Sequence, residues 1–244
     1  MRGAHGYNVV PEMGLGLIGT AAVGTVVSTW AGLNGSYPFQ ATAAYATLMA
    51  VMVGAARHQH PFPRFGAANH VTMVRAIVTA LAAGLIGEPG SPHLLWSAIA
   101  VVVLGGVLDG VDGWLARRSG MASDFGARFD METDAALILV LSVLVWEHEK
   151  AGAWVLMCGL MRYAFVAAGW LLPWLAQPLR STWRGKSVAV AQFIGLGVAL
   201  APVITPPLSA VVAAATLAAL AWSFAVDVRW LRLGAGASPL PDDE

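Results

Sequence analysis

The chain is poor in charged residues and in cysteine, and both shortages limit what it can be. Only 11% of its 244 residues are Asp, Glu, Lys or Arg, whereas soluble domains carry about 25%. This deficit excludes an ordinary soluble domain and is typical of a protein with several membrane helices. The net charge is zero, which gives no general attraction to nucleic acid, so we expect no nucleic-acid partner. The one cysteine, Cys158, lies in an apolar run and is predicted to be buried.

Eight apolar segments approach the roughly 20 residues that a membrane-spanning helix needs. They cover residues 13–33, 39–56, 70–87, 93–108, 131–146, 154–175, 188–204 and 208–230. The sequence therefore predicts an all-α fold, a polytopic membrane helix bundle of eight spans. The polar, acidic tail after residue 232 is predicted to be disordered.

The distribution of Lys and Arg predicts the orientation of these spans. If the N-terminus lies inside, the outer connections contain one cation, Lys150, and the inner ones contain all the clustered cations. The positive-inside rule then predicts an integral protein of the cytoplasmic membrane, with residues 109–134 at the cytoplasmic side. Residues 57–66 mix basic, aromatic and histidine side chains. We interpret them as a segment on the inner leaflet, with a histidine metal site as the alternative.

Residues 109–134 concentrate acidic side chains in an otherwise apolar chain. If two helices run through this stretch, Asp109 and Asp112 share a face of the first, and Asp130 and Asp134 share a face of the second. The short connection makes the helices antiparallel neighbours, so the four carboxylates converge. Two further acids do not share these faces: Asp124 is predicted to cap the second helix, and Glu132 to point elsewhere.

Four converging carboxylates repel one another unless cations compensate them. All-oxygen ligands select Mg²⁺, Mn²⁺ or Ca²⁺, and four carboxylates suit two ions that share ligands, as in two-metal attack on phosphorus. Gly113, Gly126 and Ala116 leave room on the same faces for a bulky ligand, and Arg117 offers a bidentate phosphate contact. The pattern indicates a site for a nucleotide diphosphate at the membrane surface. An interfacial cluster of Asp and Arg is the structural alternative.

The spacing of these residues resembles the signature of the CDP-alcohol phosphotransferase family. The matching run is Asp109-x2-Asp112-Gly113-x2-Ala116-Arg117-x8-Gly126-x3-Asp130-x3-Asp134. The segment Asn69-x2-Thr72-x2-Arg75 also resembles the start of the family's first core helix. The resemblance implies a six-helix core over residues 67–232, after a two-span extension over residues 1–66 and before a tail over residues 233–244.

The resemblance also implies a reaction: a CDP-linked alcohol, often CDP-diacylglycerol, gives its phospho-alcohol group to an acceptor hydroxyl, and CMP leaves. It assigns two Mg²⁺ or Mn²⁺ ions to Asp109, Asp112, Asp130 and Asp134, with Asp134 also acting as general base. The residues implied for the CDP pocket are Gly113, Ala116, Arg117 and Gly126, with Asn69 and Thr72 from the neighbouring helix. Phospholipid biosynthesis and a homodimer are further implications.

The acceptor is open, because the Gly-Lys-x-Lys-Thr run of members that use glycerol phosphate is here Arg184-Gly-Lys186-Ser187. We expect a small polar alcohol, phosphorylated or not. Candidates for its binding site are Arg162, Arg180, Arg184 and Lys186; the last three are equally explained as positive-inside loop charges. Arg162 and Arg75 lie inside predicted spans, where an arginine is a functional hypothesis, although Arg75 could instead reach the interface by snorkelling.

Three other functions remain open at this stage. A soluble donor such as CDP-choline or CDP-ethanolamine could react with a lipid hydroxyl. The same carboxylates could belong to a divalent-cation transporter, although transporters place their ligands near the midplane on broken helices. A catalytically silent membrane scaffold would need an incomplete site, and no motif position is missing.

Overall fold

The computed structural model describes residues 8–55, 62, 64–119, 123–177 and 182–234, and within them the fold is entirely helical. The α-helices are α1 (Val10–Ala31), α2 (Tyr37–Ala55), α3 (Ala67–Ala83), α4 (Pro92–Ser119), α5 (Asp124–Glu147), α6 (Met157–Leu171), α7 (Trp183–Leu200) and α8 (Leu208–Gly234). Short 3-10 helices, Ala153–Leu156 and Pro173–Ala176, flank α6. The all-α prediction is confirmed; residues 57–61 and the tail from 235 lie outside the described part.

Within the described residues, four helical stretches are long and apolar enough to cross a membrane, so the count of eight spans is not confirmed. They are Val10–Ala31, Pro92–Leu115, Ala153–Leu171 and Leu208–Leu233. The other helices do not meet this criterion because they are too short or not apolar enough. α3 has 17 residues, and the first turns of α7 contain Arg184 and Lys186.

The packing places α3 and α5 at the centre of the bundle. α3 contacts α1, α2, α4 and α5, whereas α4 and α5 share few contacts with each other. α5 also packs against α6 and α7, and the main core forms there around Leu141, Leu144 and Leu196, all fully buried. Cys158 is buried in the same core, as predicted. A second core lies between α2, α3 and α5, around Tyr45 and Phe129.

The N-terminal pair, α1 and α2, packs closely because α1 buries a stripe of small side chains. Gly16, Thr20, Gly24 and Ser28 repeat every fourth residue and are all buried. A Cβ on Gly24 would lie 3.3 Å from the Cα of Pro38 on α2. Such stripes let helix backbones approach within a membrane, where van der Waals contact drives packing.

The connections at the end of the bundle opposite residues 109–134 are joined by polar contacts. Glu88 accepts hydrogen bonds of 3.0 Å from the backbone N and Nδ2 of Asn34. Lys150 donates from Nζ to the carbonyls of Ala201 and Ile204 at 2.9 and 2.7 Å. Lys150, the one cation predicted in the outer connections, therefore joins the connection after α5 to the connection after α7.

Candidate active site

Three helices build a polar site at one end of the bundle, which we call the carboxylate end. α4 contributes Asp109 and Asp112, and α5 contributes Asp130 and Asp134. α3 lies between these helices and adds a guanidinium group, Arg75, which is 3% exposed. The predicted convergence of four carboxylates is thus present, but it is organised around a cation from a third helix.

Arg75 forms ion pairs with all four aspartates. Its Nη1 lies 2.7 Å from Asp112 Oδ2 and also contacts Asp130, while its Nη2 lies 3.2 Å from Asp109 Oδ1 and also contacts Asp134. One positive charge therefore faces four negative charges. A partly buried group with this imbalance attracts further cations.

The donor set fits a hard divalent cation. Carboxylate oxygens of Asp109, Asp112 and Asp130 can all lie within 4.8 Å of one another. Only oxygen ligands are present in this group, which suits Mg²⁺ or Mn²⁺ and not a soft metal. Asp134 is not part of that trio, but Arg75 links it to the others.

Asn69 and Thr72 lie on α3 beside Arg75 and are buried. The hydroxyl of Thr72 lies 3.1 Å from Asp112 Oδ2, so this side chain orients a carboxylate. Asn69 donates from Nδ2 to the carbonyl of Phe65 at 2.6 Å, which aims its amide oxygen at α5. A Cβ added to Gly126 would lie 2.8 Å from that oxygen. A side chain at position 126 would therefore displace the Asn69 amide from its place between α3 and α5.

The cap of α5 differs from the prediction. Ser123, not Asp124, is the N-cap, and its hydroxyl accepts a hydrogen bond from the backbone N of Gly126 at 3.1 Å. Asp124 occupies the first helical turn, where its charge still favours the helix N-terminus. The cap prediction for Asp124 was wrong by one residue because Ser and Asp are almost equally good caps.

The motif residues on α4 continue the same helix beyond Asp112. Gly113, Ala116 and Arg117 follow within the last two turns of α4. The side chains of Ala116 and Arg117 lie outside the described part of the structure, as does Arg180. Gly113 is partly buried one residue after Asp112.

The three described acceptor candidates have other partners than the carboxylates. Arg162 on α6 pairs with Glu132 on α5, and Arg184 on α7 pairs with Asp227 on α8. Lys186 is exposed, with Nζ 5.9 Å from the centre of the Trp183 ring. Glu132 and Asp227 are thus both paired with arginines on neighbouring helices.

An apolar groove begins at the carboxylates and runs between α4 and α7. We call it the α4–α7 groove; its volume is about 550 Å³. Arg75 and Asp109 line one end and Trp96 lies near the other. Thirteen residues of helix separate Asp109 from Trp96, which corresponds to about 20 Å. The residues between them that line the groove are valines, glycines and an isoleucine.

Arg75, for which the sequence left a functional role and snorkelling both open, pairs with the carboxylates of the site. The sequence Asn69-x2-Thr72-x2-Arg75 indicates that Arg75 belongs with the site, because residues spaced by three lie near one another on a helix. Four acids predicted to converge also required a buried cation. Only the packing of α3 between α4 and α5 shows that Arg75 is that cation.

Comparisons with known proteins agree with this geometry. Residues 65–226, about two thirds of the chain, match the CDP-alcohol phosphatidyltransferase family. The chain is similar to the CDP-diacylglycerol–glycerol-3-phosphate 3-phosphatidyltransferases of Escherichia coli (strain K12) and Shigella flexneri serotype 5b (strain 8401). Each is 30% identical over 109 residues, which cover 41% of this chain and 60% of the relative.

The chain thus spans 60% of the length of the curated relatives that it matches. No solved structure matches it. The family match contains all four aspartates as well as Arg75 and covers α3 to α7 and most of α8. The chain belongs to the CDP-alcohol phosphatidyltransferase family.

Proposed function

We propose that this protein transfers a phosphatidyl group from CDP-diacylglycerol to the hydroxyl of a small polar alcohol, in phospholipid biosynthesis. The acceptor oxygen forms a bond to the phosphorus that carries the diacylglycerol. The bond from that phosphorus to the oxygen shared with CMP breaks, and CMP leaves. The observation that carries the proposal is the convergence of Asp109, Asp112, Asp130 and Asp134 at the end of an apolar groove.

Asp109, Asp112 and Asp130 would hold the divalent cations, with Asp134 beside them. Bound Mg²⁺ or Mn²⁺ supplies charge stabilisation for the diphosphate and for the departing CMP. Asp134 takes the proton of the acceptor hydroxyl, since it is the aspartate outside the close trio. Arg75 holds the four carboxylates together before substrate binds.

The CDP moiety would lie against the faces of α4 and α5 that have small residues. Gly113, Ala116 and Gly126 leave space there, and Arg117 supplies a cation for a phosphate. Asn69 and Thr72 border this space from α3, next to Gly126 and Asp112 respectively. Their buried amide and hydroxyl groups suit recognition of a nucleotide by hydrogen bonds.

The α4–α7 groove favours a lipid donor over a soluble one. A soluble CDP-alcohol needs only the polar site, whereas CDP-diacylglycerol also brings acyl chains that must lie somewhere next to it. The groove starts at Arg75 and Asp109 and continues for about 20 Å between apolar side chains. If the diphosphate of CDP-diacylglycerol lies at the carboxylates, one of its acyl chains can lie along this groove.

Lys186 is the acceptor candidate that geometry favours. Counting from Lys186 along α7, Val190 and Gly197 lie at i+4 and i+11, on the same helix face, and both line the α4–α7 groove. An exposed ammonium at the mouth of the groove suits an anionic alcohol, and the similar enzymes are named for glycerol 3-phosphate. Arg184 lies two residues earlier, on the opposite side of α7, and pairs with Asp227.

We propose that the carboxylate end faces the cytoplasm. The described cations Arg118, Arg128, Arg184, Lys186, Arg229 and Arg232 lie at this end. Exposed Trp96 and Trp114 on α4 are 18 residues apart, about 27 Å along the helix, which matches the apolar thickness of a bilayer. Cysteines introduced at positions 232 and 149 test the orientation: in intact cells an impermeant maleimide should label only position 149. A homodimer stays a prediction, to be checked by light scattering.

The central test measures CMP release from the purified protein with Mg²⁺. CDP-diacylglycerol plus glycerol 3-phosphate should give CMP and a new lipid phosphate, whereas CDP-choline plus diacylglycerol should give neither. Chelation with EDTA should abolish release. The lipid donor would be wrong if CDP-choline alone supported turnover, and the acceptor class would be wrong if unphosphorylated glycerol replaced glycerol 3-phosphate without loss.

A groove-filling variant tests where the donor chains lie. Gly106 lines the α4–α7 groove, and a Cβ added there meets nothing within 4 Å. Gly106→Phe should raise the KM for long-chain CDP-diacylglycerol at least tenfold and change the KM for a short-chain analogue less. Gly14→Phe on exposed α1 is the matched control, because a Cβ there also meets open space. Equal effects on both donors would contradict the assignment of the groove.

A further inference from the structure

A second apolar groove lies on the other side of α5 from the carboxylates. It lies between α2, α3, α5 and α6 and has a volume of about 230 Å³. We call it the α2–α5 groove. Its wall includes Thr47, Thr79, Ala80, Ala136, Val140 and Tyr163. The residues on α2 precede the family match, which begins at residue 65, so the N-terminal extension builds part of this groove.

A paired arginine lies next to the α2–α5 groove, beside its lining residues on α5 and α6. On α5, Glu132, Ala136 and Val140 follow one another at intervals of four residues and lie on one face. Ala136 and Val140 line the groove, and Glu132 pairs with Arg162, which immediately precedes the groove residue Tyr163 on α6. The ion pair therefore lies at the end of the groove that is nearer to the carboxylate end.

On α5, the ion pair and the reacting carboxylates lie on opposite sides of the helix. Glu132 is two residues from both Asp130 and Asp134, which corresponds to about 200° around a helix with 3.6 residues per turn. Asp130 and Asp134 contact Arg75 on α3, whereas Glu132 contacts α6. The ion pair thus lies at the depth of the active site but on the other side of α5, and the groove begins about one turn further from the carboxylate end.

Part of the Arg162 side chain remains accessible to a ligand, although one of its amino groups is hydrogen-bonded to Glu132. Its side chain is 27% exposed, and only Nη2 is hydrogen-bonded to Glu132. A guanidinium group at this depth is stabilised by further oxygen acceptors, because a membrane interior offers few of them. Guanidinium groups bind phosphate well, and basic pockets between membrane helices bind lipid headgroups.

We propose that the α2–α5 groove and Arg162 form a second lipid site, which takes a phospholipid of the surrounding membrane and not a reactant. One acyl chain lies in the groove, and a phosphate oxygen accepts a hydrogen bond from Arg162. On α2 the lining extends from Ala44 to Val51, about 10 Å of helix, which accommodates part of one chain. The bound lipid joins the N-terminal pair of helices to the family core.

Native mass spectrometry of the purified protein, titrated in detergent with phosphatidylglycerol or with diacylglycerol of the same chains, tests the site. Two variants remove its two parts. Thr47→Trp fills the groove from α2, and the double variant Arg162→Gln with Glu132→Gln removes the cation without leaving a lone buried acid. Thr25→Trp on α1 is the matched control: both threonines are exposed, and each donates its hydroxyl hydrogen to the carbonyl four residues earlier at 2.8 Å.

We expect phosphatidylglycerol to bind the wild type at least tenfold more tightly than diacylglycerol. Thr47→Trp should weaken both lipids about tenfold, the double variant should weaken only phosphatidylglycerol, and Thr25→Trp should weaken neither. Equal binding of phosphatidylglycerol to all variants would overturn the site. So would a double variant that binds it normally but has a raised KM for the alcohol acceptor, which would place Arg162 with the reacting groups. Because binding is measured without turnover, the result is independent of the proposed reaction.

Discussion

Replacing Arg75 by glutamine tests the central feature of the site, a single cation among four carboxylates. The side chain of Arg75 is 3% exposed, and that of Asp112 is 6% exposed, so this pair is buried. Removing one partner of a buried pair costs about 3–5 kcal/mol. The other three carboxylates keep 26–45% exposure, and solvent screens them. We therefore expect Arg75→Gln to lower stability by about 3 kcal/mol, the lower end of this range, when divalent cations are absent.

The measurement is thermal unfolding of the detergent-solubilised protein in EDTA and in saturating Mg²⁺. For chains of this size 1 kcal/mol corresponds to about 2–4 °C, so the midpoint should fall by about 6–12 °C in EDTA. On the proposed assignment of the metal ligands, Mg²⁺ should stabilise the variant more than the wild type, because no guanidinium competes for the same oxygens. In saturating Mg²⁺ the remaining difference should be less than about 1 kcal/mol.

Arg229→Gln is the control for removal of an arginine, because Arg229 is exposed on α8. It should change stability by less than about 0.5 kcal/mol in either buffer. Two results would refute the argument for Arg75. One is a loss in EDTA as small as that of Arg229→Gln. The other is an equal effect of Mg²⁺ on wild type and variant, which would mean that the carboxylates do not hold the ion.

Three further changes have defined outcomes. Asp134→Asn should fold normally but release CMP about 100- to 10,000-fold more slowly, as expected for loss of a general base; an unchanged rate would assign the base elsewhere. Gly126→Ala should cost about 1–3 kcal/mol of stability through contact with Asn69, whereas Gly110→Ala, in open space, should gain up to about 1 kcal/mol. Burial lowers the pKa of His148, so the unfolded chain binds the proton more readily, and the inactivation temperature should fall as pH drops through about 6.5. His148→Asn should flatten that profile between pH 8 and 5, and an unchanged profile would assign it to another group.

The fold class could be predicted because it depends on composition and on the lengths of apolar runs. All eight predicted segments overlap helices, from α1 to α8. The number of spans could not be fixed in the same way. Where a helix carries charge at one end, as α7 does with Arg184 and Lys186, hydropathy alone does not decide how much of it lies in the membrane.

The carboxylate pairs could be predicted because each lies within one helix, where spacing determines the shared face. Asp109 with Asp112 and Asp130 with Asp134 required no knowledge of tertiary structure. The partners of charged groups on different helices could not be predicted. Arg75 with four aspartates, Arg162 with Glu132 and Arg184 with Asp227 all join helices whose neighbours are set by packing.

The position of Glu132 between Asp130 and Asp134 gives α5 two polar faces at one depth. A shift of two residues turns a side chain to the opposite side of a helix, so one helix can hold reacting carboxylates towards α3 and an ion pair towards α6. Arg75 meets one face and Arg162 meets the other. α5 is packed on both sides, and any rotation that moves Asp134 also moves Glu132 against Arg162. The second ion pair therefore limits the rotation of the helix that carries the proposed base, whether or not a lipid is bound beside it.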